Sequence, residues 1–242
     1  MGHIRLGRIP GTRKWQEVVS LISEGADVPQ IAAKSADAAA RGLETAAHDK
    51  ALVHAFWLLT QIPQAARQAN FAERLRALGL EVSSEPTLLD VVGAFASAVD
   101  RRVRETGGRT DLGETAQHAA AETLTFLAGR ELPSLFAPSP SDVQHAIAKL
   151  GTSDRFSIVA RDFFSRLTRR YLAYFLSREL SNHVGPQQRF ASTGDHTKFN
   201  VALDLHCREA SRIIKEFPGA GTAKPSLSRA ALARRKPRIS LT

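Results

Sequence analysis

The 242-residue chain predicts an all-α fold, an irregular multi-helix bundle of about nine helices followed by a basic, flexible C-terminal tail. Three observations predict it. Apolar residues recur three and four positions apart almost everywhere. No run shows sustained two-residue alternation, and no Asn-Gly or Asp-Gly pair signals a hairpin. Beyond Pro218 the chain turns to Gly, Ala, Ser, Pro and basic residues, too poor in large apolar side chains to fold by itself.

The first helix is expected over Thr12 to Glu24, with Trp15, Val18, Val19 and Ile22 on one face and Gly25 as its stop. Asp27 then caps a second helix, with Pro29 in the first turn and Gln30 where a capping box wants an amide. Its run "IAAKSADAAARGLETAA" is alanine-rich, which permits close approach of a neighbour. The following "DKALVHAFWLLTQI" is apolar nearly all round and reads as buried, with Pro63 ending or kinking it. "QAARQANFAERLRALG" reads as a fourth helix stopped at Gly79.

Thr87, with Asp90 three residues on, caps a fifth helix that closes on the Gly107-Gly108 pair. A sixth is expected from Gly113 onward. Three prolines between Pro133 and Pro140 make the best internal linker, after which Ser139-Pro140-Ser141-Asp142 opens a short helix ending at Gly151. A long aromatic-rich segment, "SDRFSIVARDFFSRLTRRYLAYFLSRELSNHVG", and a last helix, "HTKFNVALDLHCREASRIIKEF", complete the set. The expected organisation is a basic extension over 1–11, one helical domain over 12–217 with lobes at 12–132 and 139–217, and a basic, disordered tail over 218–242.

Composition narrows the function classes. Aromatic residues are only 7% of the chain, so the core must rest on Ala, Leu, Val and Ile. Cys207 is the sole cysteine, which excludes an intramolecular disulfide, a zinc knuckle and a redox CxxC pair. The opening residues lack a signal-peptide apolar stretch, and "ALVHAFWLL" is far below spanning length, so a soluble cytoplasmic protein with no membrane contact is expected. Heavy use of alanine and arginine suggests a GC-rich bacterial genome.

Net charge is +9, and its placement carries the argument. Residues 1–14 hold Arg5, Arg8, Arg13 and Lys14 with no acid; residues 218–242 hold Lys224, Arg229, Arg234, Arg235, Lys236 and Arg238, also with no acid. The remaining body carries −1. Acid-free basic ends of this kind lie along phosphates, dock on an acidic protein surface, or serve only as solubilising disordered ends. Inside the body, Arg101, Arg102, Arg104 and Arg109 are flanked by Asp100, Glu105 and Asp111, and Arg166 stands four after Asp162 and four before Arg170. Local ion pairs on a solvated face are the expected reading of both groups.

Candidate chemistry is sparse. Glu114, His118 and Glu122 share one helix stripe and form a weak metal-ligand set, which would need matching ligands from other helices. Asp204 has Arg208 four residues on, and Cys207 reads as a small core residue rather than a nucleophile. No G-x-S-x-G elbow and no complete phosphate-binding glycine loop occurs. The His48-Asp49 doublet is shared with helical metal-dependent phosphohydrolases, but their upstream histidine has no counterpart except His3, outside any helix. "VPQIAAKSADAAARGLETA" opens like a helix-turn-helix yet lacks the central turn residue, and reads better as one helix. Arg178, Glu179, Asn182 and His183 could form a polar cluster where the chain reverses.

These features together predict a non-enzymatic helical adaptor without cofactor, a subunit of a bacterial assembly of the genome-maintenance or phage-defence kind. Its body would bind protein partners, and its basic ends nucleic acid or an acidic partner. The rival readings are a metal-dependent enzyme with a site assembled between helices, and a DNA-binding regulator.

Overall fold

A computed structural model describes residues 7–44, 48–108, 110–133 and 137–210. Among the described residues there are nine α-helices and no strand; one isolated bridge joins Val184 and Phe190. The all-α reading therefore holds.

Helix α1 (Arg13–Ser23) buries Trp15, Val18 and Ile22, the face its spacing marks out. It ends where Gly25 takes φ +79° and Ala26 N–H reaches back to the Leu21 carbonyl, a closure that favours glycine. Asp27 accepts from Gln30 N–H at 2.7 Å and so caps α2 (Val28–Glu44), one uninterrupted helix. Across the described part of the potential helix-turn-helix stretch, residues 28–44, there is no internal turn.

Helix α3 (Lys50–Ala66) runs straight through Pro63, so the proline neither ends the helix there nor leaves its end open. The reason is tertiary. The end of α7 (Pro140–Lys149) and the turn at Gly151 clamp it: Gln64 Nε2 and Arg67 Nη1 donate to the Gly151 carbonyl at 2.9 and 3.0 Å. Gln144 Nε2 donates to the Ala66 and Gln68 carbonyls that the helix end would leave open. The expected fourth helix consequently starts later, as α4 (Phe71–Ala77), after Asn70 in a left-handed conformation. Gly79, at φ +85°, closes α4 as expected, with Leu80 N–H on the Leu75 carbonyl.

Reciprocal capping boxes open α5 (Leu88–Glu105), through Thr87 and Asp90, and α7, through Ser139 and Asp142. Helix α6 (Asp111–Gly129) begins two residues before the expected Gly113, because Thr110 is its cap and accepts from Gly113 N–H at 2.9 Å. The 29-residue α8 (Ser153–Ser181) and α9 (Thr193–Ala210) complete the bundle.

Helix α6 packs on α3, α5 and α8, while α8 continues beyond it to meet α9, and α1 and α2 close over that end. Phe56 of α3 meets Phe163 and Phe164 at the first junction; Trp15 of α1 meets Phe175 at the second, with ring centroids 5.0 Å apart. Helices from both sides of the 133–140 segment share one continuous core, which runs from Trp15 to Cys207. The chain before α1 lies against α8: Gly7 is buried, its N–H donates to the Tyr174 carbonyl at 2.8 Å, and Ile9 packs on the core.

Candidate functional site

The predicted binding residues fall into two sets. Arg5 and all six cations of the 218–242 segment (Lys224, Arg229, Arg234, Arg235, Lys236 and Arg238) lie outside the described residues, as does Arg109 of the inner group. Arg8 is exposed, on the stretch that crosses α8. Arg13 and Lys14 belong to the first turn of α1 and face acids: Arg13 Nε lies 3.3 Å from Glu17, and Lys14 Nζ 3.0 Å from Asp37 of α2. Lys34 adds a second cation to Glu17. The front basic cluster is therefore partly tied into the α1–α2 pair, something its acid-free sequence does not show.

Arg101, Arg102, Arg166 and Arg170 of the inner groups are paired, but not all with sequence-local partners. Arg101 reaches back to Glu81 at 3.1 Å, and Arg102 stands 3.6 Å from Glu105. In α8, Arg166 Nε donates to Asp162 at 2.5 Å, while both side chains are only about one-fifth exposed. Arg166 also lies 3.5 Å from Glu122 of α6, and Arg170 makes a two-nitrogen contact with the same carboxylate. Buried Thr123 donates to Asp162 at 2.9 Å, and the Arg166 guanidinium lies 5.0 Å from the centre of the Phe126 ring. The local Asp162–Arg166 pair forms as its spacing implies, and α6 adds to it a half-exposed carboxylate that lies 48 residues before Arg170 in the chain.

That network also decides what Glu122 can do. Burial pushes its carboxyl up, but hydrogen bonds and charge from Arg170, then Arg166, outweigh this and hold it below the usual carboxylate range. Of its two stripe-mates, His118 is exposed and Glu114 half-buried. Among the described residues no three His, Cys, Asp or Glu side chains gather as a metal site. Asp49 of the His48-Asp49 doublet is a structural cap: it accepts from Leu52 N–H at 2.8 Å and from the Thr110 hydroxyl. The α3 and α6 N-termini meet there, with one carboxylate between two positive helix ends.

Asp204 pairs with Arg208 at 2.8 Å, as its spacing suggests, and also with Arg169 of α8 at 3.2 Å. Cys207 is buried in the core, and burial pushes its thiol up to about 11, which disfavours the thiolate a nucleophile needs. In the reversal after α8, Glu179 and His183 do meet, at 3.0 Å, while Arg178 and Asn182 are exposed.

The side chain that organises this reversal is one the sequence does not single out. Arg189 donates to the Ile22 carbonyl at 3.4 Å and to the Ala26 carbonyl, at the negative end of α1. Its guanidinium lies over Phe190 and Phe199, at 5.4 and 5.6 Å from the ring centres. The loop between α8 and α9 is thereby clasped to the α1–α2 turn. Only the pattern "QQRF", an arginine beside an aromatic in a polar loop, hints at it.

Two open depressions mark the surface of the described residues. One depression between α4 and α5 is lined by Arg76, Leu80, Glu81, Val82 and Arg101, and a second lies between α1 and α2. No helix among the described residues is long and apolar enough to cross a membrane. Comparison with protein-family models, with curated proteins and with solved structures finds no match to this chain.

Proposed function

We propose that the protein is a helical adaptor that holds a protein partner through its body and a nucleic acid through the basic segment 218–242. The observation that carries this reading is where charge is neutralised. Arg13, Lys14, Arg101, Arg102, Arg155, Arg166, Arg169, Arg170 and Arg208 each have a carboxylate of the body within 4 Å. The six cations of 218–242 have no acid within their own stretch of sequence. Phosphate contacts release condensed counterions, so a segment of this kind binds polyanions strongly at low salt and weakly at high salt. Support for the partner-binding half comes from α9, which leaves Val201 and Leu205, one turn apart, well exposed just before that segment. Supply of an adaptor subunit to a genome-maintenance or phage-defence assembly is the setting that fits both halves.

The test is truncation after Pro218. The shortened chain should melt within a degree or two of the full chain and lose its salt-sensitive binding to labelled DNA and RNA. A melting temperature lower by many degrees would mean that the segment is packed structure. Undiminished binding would place the contact elsewhere. A pull-down of the full chain from its host, with and without nuclease, then separates partners held through nucleic acid from those held by the body.

A further inference from the structure

The chain has two tryptophans, and they are treated oppositely. Trp15 is 3% exposed in the core, whereas Trp57 of α3 is 40% exposed. A large aromatic left in water forgoes a sizeable hydrophobic gain, so its surroundings are informative. The His54 imidazole, one turn back, stacks on the Trp57 ring with centroids 5.6 Å apart and planes 21° from parallel. Val53 extends the same exposed strip, and Lys50 begins it. On the far side, Thr60 and Gln61 are turned to local bonds, the Thr60 hydroxyl donating to the Trp57 carbonyl at 2.7 Å.

Cations and acids both border this strip: Lys50 follows Asp49 at the start of α3, and Arg102 and Arg104 of α5 stand beside Glu105. Helix α3 contains no acidic residue at all. The C-terminal end of α5 lies alongside, close enough that the Arg102 guanidinium, after burial, depresses the His54 pKa, with Glu105 working weakly in the opposite sense. Arg102 and Arg104 are both exposed, and Glu105 is the acid that accompanies them. An exposed indole backed by a half-buried imidazole, with cations at its border, suits a ligand with both a π-face and a phosphate. Unpaired nucleotides have both; a duplex keeps its bases stacked on each other, and an acidic peptide has no π-face of that size.

We propose that the Trp57–His54 face, flanked by Lys50 and Arg102, is a stacking platform for an unpaired base of single-stranded nucleic acid. This rests on the reading that segment 218–242 brings nucleic acid to the molecule: the basic segment holds phosphates, and the platform selects unpaired strands. Sequence alone hides it, because "DKALVHAFWLL" reads as a uniformly buried helix.

The test uses the full chain with oligo-dT of about 20 nucleotides, longer than the roughly 4–16 nucleotides a single-strand site covers. End-label anisotropy reports binding anywhere, while tryptophan emission reports the platform, since Trp15 is buried. Binding of oligo-dT should quench emission over the concentrations at which anisotropy rises, and a duplex of equal length should raise anisotropy without quenching. Trp57→Ala should weaken oligo-dT binding about tenfold and leave duplex binding unchanged, while Trp57→Phe keeps most of the affinity. Melting curves of both variants check that each is folded. A rise in anisotropy with no quenching, and full affinity in Trp57→Ala, would overturn the platform and leave the basic segment's role intact. No rise with either nucleic acid would overturn both.

Discussion

Replacing Gly113 by alanine tests how closely α3 and α6 are held together. A Cβ at this position would stand 2.6 Å from the Ala51 Cβ, 2.8 Å from Thr110 Oγ1 and 3.2 Å from Asp49 Oδ1. Carbon atoms settle about 3.5–4.0 Å apart, so the first contact alone asks for roughly 1 Å of movement. Both carbons are fixed to helical backbone, and no rotamer change relieves the clash. The helices must part, which strains two linked caps: Thr110 holding Gly113 N–H, and Asp49 holding both Leu52 N–H and the Thr110 hydroxyl. Overpacking of this kind costs about 1–3 kcal/mol, and weakening a cap adds about 0.5–1 kcal/mol. The gain in helix propensity returns about 1 kcal/mol. Gly113→Ala should therefore lose about 2 kcal/mol, which lowers the melting temperature by about 4–8 °C in a chain of this length.

Gly93 in α5 supplies the control, since nothing lies within 4 Å of its added Cβ. Gly93→Ala keeps only the propensity gain of about 1 kcal/mol and should melt about 2–4 °C higher. Circular dichroism melts of the two variants beside the parent read the contrast. If Gly113→Ala were as stable as the parent, the α3–α6 approach described above would be wrong.

Three further outcomes follow from the buried and half-buried titrating groups. Glu122→Gln removes the carboxylate that Arg170 and Arg166 share and should cost about 1 kcal/mol at neutral pH, a modest figure because the pair is partly solvated. Glu122's folded pKa lies below the usual 4.5, so its contribution is present above that pH and lost as pH falls through the folded value. Denaturant titrations at neutral and acid pH should show the variant's deficit shrinking in acid. His54, depressed below 6.5 by burial and then by Arg102, should titrate below that value by NMR, and its share of stability should fade as pH drops through its folded pKa. The Cys207 thiol, buried and raised to about 11, should resist a thiol reagent in the native chain and react fully once unfolded; rapid native labelling would contradict its place in the core.

The elements that sequence made legible are those governed by neighbours in the chain. Thr87 with Asp90, Ser139 with Asp142, Asp27 before Gln30, and the stops at Gly25 and Gly79 all act within a turn, and the structure places them as their spacing implies. What sequence obscured depends on distant partners. Pro63 marks a local break, yet Gln144 and the Gly151 turn, some 80 residues on, support the helix beyond it. Asp162 and Arg166 spell a surface pair until Glu122 arrives from α6. Trp57 sits in a run apolar on all sides, and nothing local says which ring stays in water. Arg189 is one arginine among many until the α1 carbonyls are brought beneath it.

The salt dependence of nucleic-acid binding tests the central claim most directly. If the six cations of 218–242 each meet a phosphate, the plot of log affinity for oligo-dT against log salt should have a slope steeper by about 4 in the full chain than in the chain ending at Pro218. Equal slopes for the two chains would contradict the account, because the phosphate contacts would then lie on the charge-balanced body.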